Sequence, residues 1–239
     1  MNILDVFIIF ILGLFLLAGM YRGFVSSLYK LVSYLLSLLL TFLLYPLFAK
    51  LLFFNNSIVK NFRFYAEGAE KLENISQAAI PVAELGESEM SQLIQQSLEK
   101  SSNGLRAPLD RMVFNNMRRG VFPSIFTAGE YVNETLVAVA INLVAFLLIF
   151  FLLKLFFNTV INIYENALPF PVLRQYDTLS GGLIGLLEGI LLLMVVFSVV
   201  PLLTSIMTVK PLEDILNTSL LGNFFVRLNF IPHLIRSKV

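Results

Sequence analysis

The sequence predicts an all-α membrane protein with four transmembrane helices, arranged as two hairpins with an amphipathic helical insertion between spans two and three. Four long apolar stretches carry this prediction: Ile3–Met20, Phe24–Phe54, Leu136–Phe157 and Gly182–Met207. Each covers the roughly 30 Å of bilayer hydrocarbon, which takes about 20 helical residues at about 1.5 Å each. The composition agrees, with 57% hydrophobic and 14% charged residues and a mean hydropathy of +0.82. A soluble domain of this make-up would leave much of its Leu, Phe and Ile in water.

The first stretch reads as a retained helix rather than a leader. It lacks a basic start, carries Asp5 in its first turn and has no small-x-small cleavage pattern. Tyr21, Arg22 and Gly23 turn the chain into the second stretch, so residues 1–54 read as the first transmembrane hairpin. That second stretch is overlong, and Pro46 is expected to end or kink it, because proline lacks the helical N–H donor and crowds the preceding turn. Leu47–Phe54 would then lie along the interface.

Residues 55–134 form the polar insertion. Apolar residues recur there at helical spacing: Phe62, Tyr65, Ala69, Leu72 and Ile75, then Met90, Leu93, Ile94 and Leu98, then Leu105, Leu109 and Met112. Pro81, Ser101–Gly104 and Pro108 punctuate them. Two or three amphipathic helices are expected, packed on the protein's own spans in preference to the membrane surface. Residues 135–207 read as the second hairpin, its connector holding Pro169, Pro171, Arg174 and Asp177. Residues 208–239 form a semi-apolar tail expected to dock at the interface.

Composition also limits chemistry. The formal net charge is +1, which leaves no basic stripe for nucleic acid. Cysteine is absent, which excludes disulfides, thiolate metal sites and cysteine nucleophiles. The single histidine, His233, suits an interfacial surface position better than a zinc site. No nucleophile–base–orienter set or phosphate-cradling loop is visible, so neither an enzyme nor a cofactor is expected.

Several polar residues stand out against this background. Asp5 and Arg22 bracket the first span, about 25 Å apart, where a carboxylate and a cation complement the helix dipole. In the fourth span Gly181, Gly185 and Gly189 recur at every fourth position, a strip on which another helix can approach closely. Glu188 lies beside the strip, inside the apolar run. An ionisable group there is either protonated or paired with a cation from another span, and counts as a functional candidate.

On the second span Lys30, Ser33, Ser37 and Thr41 follow three- and four-residue steps. If that face meets the glycine strip, Lys30 approaches Glu188 and a polar seam runs between spans two and four. The plainer alternative is that Lys30 snorkels to the interface and the hydroxyls bond carbonyls of their own helix.

Two of these constellations together resemble the colicin V production protein family of bacterial inner-membrane proteins. One is Asp5, sixteen residues, then Arg22, Gly23 and Phe24; the other is Asp177, Gly181, Gly185 and Gly189, similar to the family's D-x3-G-x3-G-x3-G run. The chain departs from the family pattern at Thr178 and Glu188, where members often carry arginine. The resemblance implies a multi-pass plasma-membrane protein linked to toxin production and envelope homeostasis. On this basis the expected function is a non-enzymatic accessory or scaffold factor. The alternative is a small oligomeric transporter or channel using the seam. The expected partners are the lipid bilayer, an unknown envelope or secretion protein and, as an option, a second copy of the chain.

Orientation follows from charge. An even number of spans puts both termini and the insertion on one face. The insertion, counted from Lys50 to Glu134, has 9 basic and 10 acidic residues, whereas the two short turns opposite are expected to hold Arg22, Lys30, Lys154 and Arg174. The positive-inside rule weighs short loops most, so both termini are expected outside the cytoplasm.

Overall fold

A computed structural model describes residues 2–66, 79–84, 86, 88–89, 92, 107–167, 177–206, 215–216 and 218–235. The long elements are α1 (Ile3–Arg22), α2 (Phe24–Phe54), α5 (Ala128–Ala167) and α6 (Asp177–Phe197). Each lies in a segment long and apolar enough to cross a membrane, as expected. Shorter helices accompany them: α3 (Asn56–Ala66) and α4 (Ala107–Arg119) from the insertion, α7 (Val200–Ile206), α8 (Leu220–Leu228) and α9 (Ile231–Leu234).

The spans do not pack as two separate hairpins. α1 lies chiefly against α6, and α2 is flanked by α6 and α5, so the order across the bundle is α1, α6, α2, α5. The last span of the second hairpin thus separates the two arms of the first. Gly23 lets the arms diverge: it joins α1 to α2 at φ 83°, a left-handed conformation that costs glycine little.

α5 is the most buried of the four spans. Leu136, Val137, Ala140, Ile141, Ala145, Phe146 and Phe150 are buried against Tyr34, Leu38, Tyr45 and Ala49 of α2. Aromatic rings lock this contact, with Phe42 and Phe146 centroids 5.1 Å apart and Tyr34 and Phe150 5.2 Å apart. The outer faces stay apolar and exposed at helical steps, as with Leu39, Leu43, Leu47 and Leu51 on α2 and Phe7, Phe10, Leu14 and Leu17 on α1. Such faces fit lipid.

The sequence boundaries need three corrections. α2 runs through Pro46 to Phe54 without a break, so Leu47–Phe54 continues the span. The third span lies within a helix of 40 residues, far longer than Leu136–Phe157. The fourth starts earlier, at Asp177, and is interrupted at Ser198 and Val199. Pro201 explains the interruption, because it is tolerated in a first turn but would crowd an uninterrupted helix. Side chains fill the break: Ser198 Oγ donates to the Val195 carbonyl at 2.6 Å, and Asn229 Nδ2 donates to the Met194 carbonyl at 2.6 Å.

The insertion's described helices pack on the spans. Val59 of α3 and Leu109 of α4 are buried in the main core, and Arg63 pairs with Glu134 of α5 at 2.7 Å. The expected apolar positions Ala69, Leu72, Ile75, Met90, Leu93, Ile94, Leu98 and Leu105 lie outside the described residues. In the tail, Leu216, Phe225 and Val226 join Ile8, Leu193 and Phe197 in a second cluster under the N-terminal end of α1. His233 is exposed, as expected.

Candidate functional site: a charged cluster beside a glycine contact

The glycine strip of α6 brings Glu188 to its position. It packs on α1 rather than on the polar face of α2. Here α1 and α6 run antiparallel with backbone against backbone: a Cβ on Gly181 would stand 2.6 Å from the Gly19 carbonyl oxygen, and one on Gly185 would stand 2.9 Å from the Gly19 Cα. Neither neighbour is a flexible side chain, so the close approach depends on glycine at all three places. A Cβ on Gly189 would stand 3.0 Å from the Cβ of Phe15, one α1 turn further along.

Asp177 closes the same seam at its end. Its Oδ1 accepts the backbone N–H of Phe24 at 2.6 Å, and its Oδ2 lies where a Cβ on Gly23 would sit. Arg22–Gly23–Phe24 and the aspartate–glycine run are therefore two halves of one contact. The carboxylate meets the first turn of α2, where the helix dipole favours negative charge.

Arg22 and Glu188 then meet across the seam. Side chains on a helix lean toward its N-terminus, so Arg22 leans into the bundle and Glu188 leans toward the Asp177 end. Arg22 Nη1 lies 3.6 Å from Glu188 Oε2. Lys154 of α5 approaches from the other side, its Nζ 4.0 Å from Oε1. The Lys154 ammonium also stands 4.5 Å over the ring of Tyr34. Tyr34 is 0% exposed, and its hydroxyl has no hydrogen-bond partner among the described residues.

Glu188 lies eleven residues after Asp177, about 16 Å along the helix and within its apolar run. A carboxylate at that depth is costly unless paired, and two cations supply the pairing.

The cations at Glu188 are thus Arg22 and Lys154, not the expected Lys30, which is half-buried on α2. The rest of the proposed stripe takes the plainer form. Ser33, Ser37 and Thr41 are buried, Ser37 Oγ donates to the Ser33 carbonyl at 2.7 Å, and Thr41 Oγ1 donates to the Ser37 carbonyl at 2.6 Å. Both bonds stay on their own helix. Lys154, expected in a short turn, sits within α5, thirteen residues before the helix ends. Its signal was a lone cation inside the apolar run Leu136–Phe157. Tyr34 gave no signal distinct from a core aromatic.

Asp5 occupies the opposite end of α1, and its role exceeds the expected dipole contact. It accepts from its own N-cap, Asn2 N, at 2.9 Å. It also accepts from Ser219 Oγ at 2.6 Å and Leu221 N at 2.9 Å, so a carboxylate 1% exposed holds the start of α8. Asn2 Nδ2 adds bonds to the Ile215 carbonyl and Thr218. Asp5 and Arg22 thus serve separate contacts.

Among the described residues no group of three or more His, Asp or Glu side chains converges as metal ligands. No curated protein and no solved structure matches the chain. The comparison that does succeed falls on the first two spans and α3. Over residues 4–72, a stretch holding Asp5, Arg22, Gly23 and Phe24, the chain matches the family model described as colicin V production protein.

Proposed function

We propose that this chain is a non-enzymatic accessory factor of the bacterial plasma membrane, a helical scaffold that supports toxin production or secretion and envelope upkeep. The observation that carries the reading is the family match over residues 4–72, which contains the arm of the Asp177 contact. The geometry adds support. The polar residues of the spans serve packing: Asp177 ties α6 to α2, the glycines seat α6 on α1, and Ser37 and Thr41 bond their own helix. This arrangement weakens the transporter alternative, which needs those hydroxyls turned toward a solute.

The test joins genetics to biochemistry. Deleting the gene in a toxin-producing host should lower released toxin while intracellular toxin synthesis continues, and the plasmid-borne chain should restore release. A tagged full chain extracted in mild detergent should return the same envelope or secretion protein reproducibly. Unchanged release together with no reproducible partner would overturn the proposal.

A further inference from the structure

The charged cluster has donors that its own carboxylate does not use. At 3.6 Å and 4.0 Å, both approaches to Glu188 are longer than charged hydrogen bonds, which fall near 2.8 Å. Arg22 carries five N–H groups and Lys154 three. Among the described residues neither donates a hydrogen bond. Two cations against one carboxylate leave one positive charge, and Asp177 is committed to Phe24.

The cluster is also reachable. The side chains of Arg22 and Lys154 are 30% and 24% exposed, against 9% for Glu188, so the cations face outward and the carboxylate lies behind them. Arg22 is the last residue of α1, at the end of its apolar span. The Tyr34 ring beneath the Lys154 ammonium holds that cation on the bundle rather than leaving it to snorkel away.

We infer that Arg22 and Lys154 bind a phosphate oxyanion, supplied by the headgroup of an anionic phospholipid in the leaflet at the Arg22 end. Guanidinium and ammonium groups between transmembrane helices are the chemistry that holds such headgroups. Glu188 keeps the two cations in place and limits affinity by its own charge. The site is independent of any role in toxin production.

This assignment gives the three residues opposite signs. The full chain, purified in neutral detergent, is titrated with phosphatidylglycerol or phosphatidylcholine and bound lipid is counted by native mass spectrometry. Phosphatidylglycerol should be retained preferentially. Arg22→Gln and Lys154→Met should each weaken its binding roughly tenfold, the scale of one charge-assisted hydrogen bond. Glu188→Gln should bind at least as tightly as the unaltered chain. Circular dichroism and gel filtration identify any variant that fails to fold, and Lys154→Arg, which keeps the charge, should restore binding.

Equal retention of both lipids overturns the proposal. So does an unchanged Arg22→Gln, or a Glu188→Gln that loses lipid as Arg22→Gln does, the mark of a merely structural cluster. Displacement of phosphatidylglycerol by equimolar inorganic phosphate would overturn the lipid source and assign the site to a free anion.

Discussion

Asp177 accepts the backbone N–H of Phe24 across 153 residues of sequence, and this bond fixes the start of the last long span against the start of the second. Replacing it by alanine removes a charge-assisted bond on the partly exposed rim of the bundle. Asp177→Ala should cost about 1 kcal/mol of stability in detergent. Gly23→Ala should cost more, because the new Cβ meets the carboxylate and the residue sits at φ 83°. Thermal or denaturant unfolding followed by circular dichroism ranks the two, and equal losses would contradict the contact.

The glycine seam offers a control across its two helices. Gly185→Val forces α6 away from the α1 backbone and should destabilise by about 3 kcal/mol or prevent folding. A Cβ on Gly13 meets nothing within 4 Å. Gly13→Ala should therefore be neutral or stabilising by up to about 1 kcal/mol, through helix propensity alone. Parallel unfolding curves decide the matter, and a costly Gly13→Ala would show that the outer face of α1 is occupied.

Asp5→Asn should free the tail without unfolding the spans. The amide weakens the acceptor that Ser219 Oγ and Leu221 N share, so α8 loses its hold on α1. Limited trypsin digestion should cut faster after Arg227 in the variant than in the unaltered chain. An identical cleavage rate would mean that the apolar cluster around Phe225 holds the tail by itself.

A double-mutant cycle measures the charged cluster. Lys154→Met and Glu188→Gln should couple by about 1 kcal/mol or more, since Lys154 stabilises the Glu188 carboxylate and Glu188→Gln leaves two cations facing each other. Additive losses would mean that the 4.0 Å approach carries no energy.

The lack of cysteine makes topology measurable. With single cysteines at positions 57, 102, 180 and 237, an impermeant maleimide on intact cells should label 57, 102 and 237 but spare 180. That pattern puts both termini and the insertion outside the cytoplasm. The reverse pattern would overturn this orientation. The finding that Lys154 lies within α5 removes one short-loop charge from the original count, so the labelling decides more than the sequence did.

The spans were legible because hydrophobic length is a local property. The role of the glycines in close helix packing was legible for the same reason, since their spacing lies on one helix. Partners were not. The run Gly181, Gly185, Gly189 says that a helix approaches, but only the bundle order says that it is α1, at Gly19, rather than α2. Glu188 was recognised as costly, and its need for a cation followed from burial. Nothing local distinguished Lys30 from Arg22 or Lys154, because the choice depends on which helices adjoin α6. Pro46 misled for a related reason: a proline weakens one turn, while packing along both sides of α2 keeps the helix whole.

The insertion of α6 between α1 and α2 bears on how the chain is made. The first two helices leave the ribosome more than a hundred residues before the helix that will sit between them. Until then Gly19 faces a gap that only lipid or an insertion factor can fill. The N-terminal hairpin is therefore a nascent intermediate rather than a finished subunit. A chain truncated before residue 177 should be a preferred substrate for membrane quality-control proteases even with its first two helices inserted.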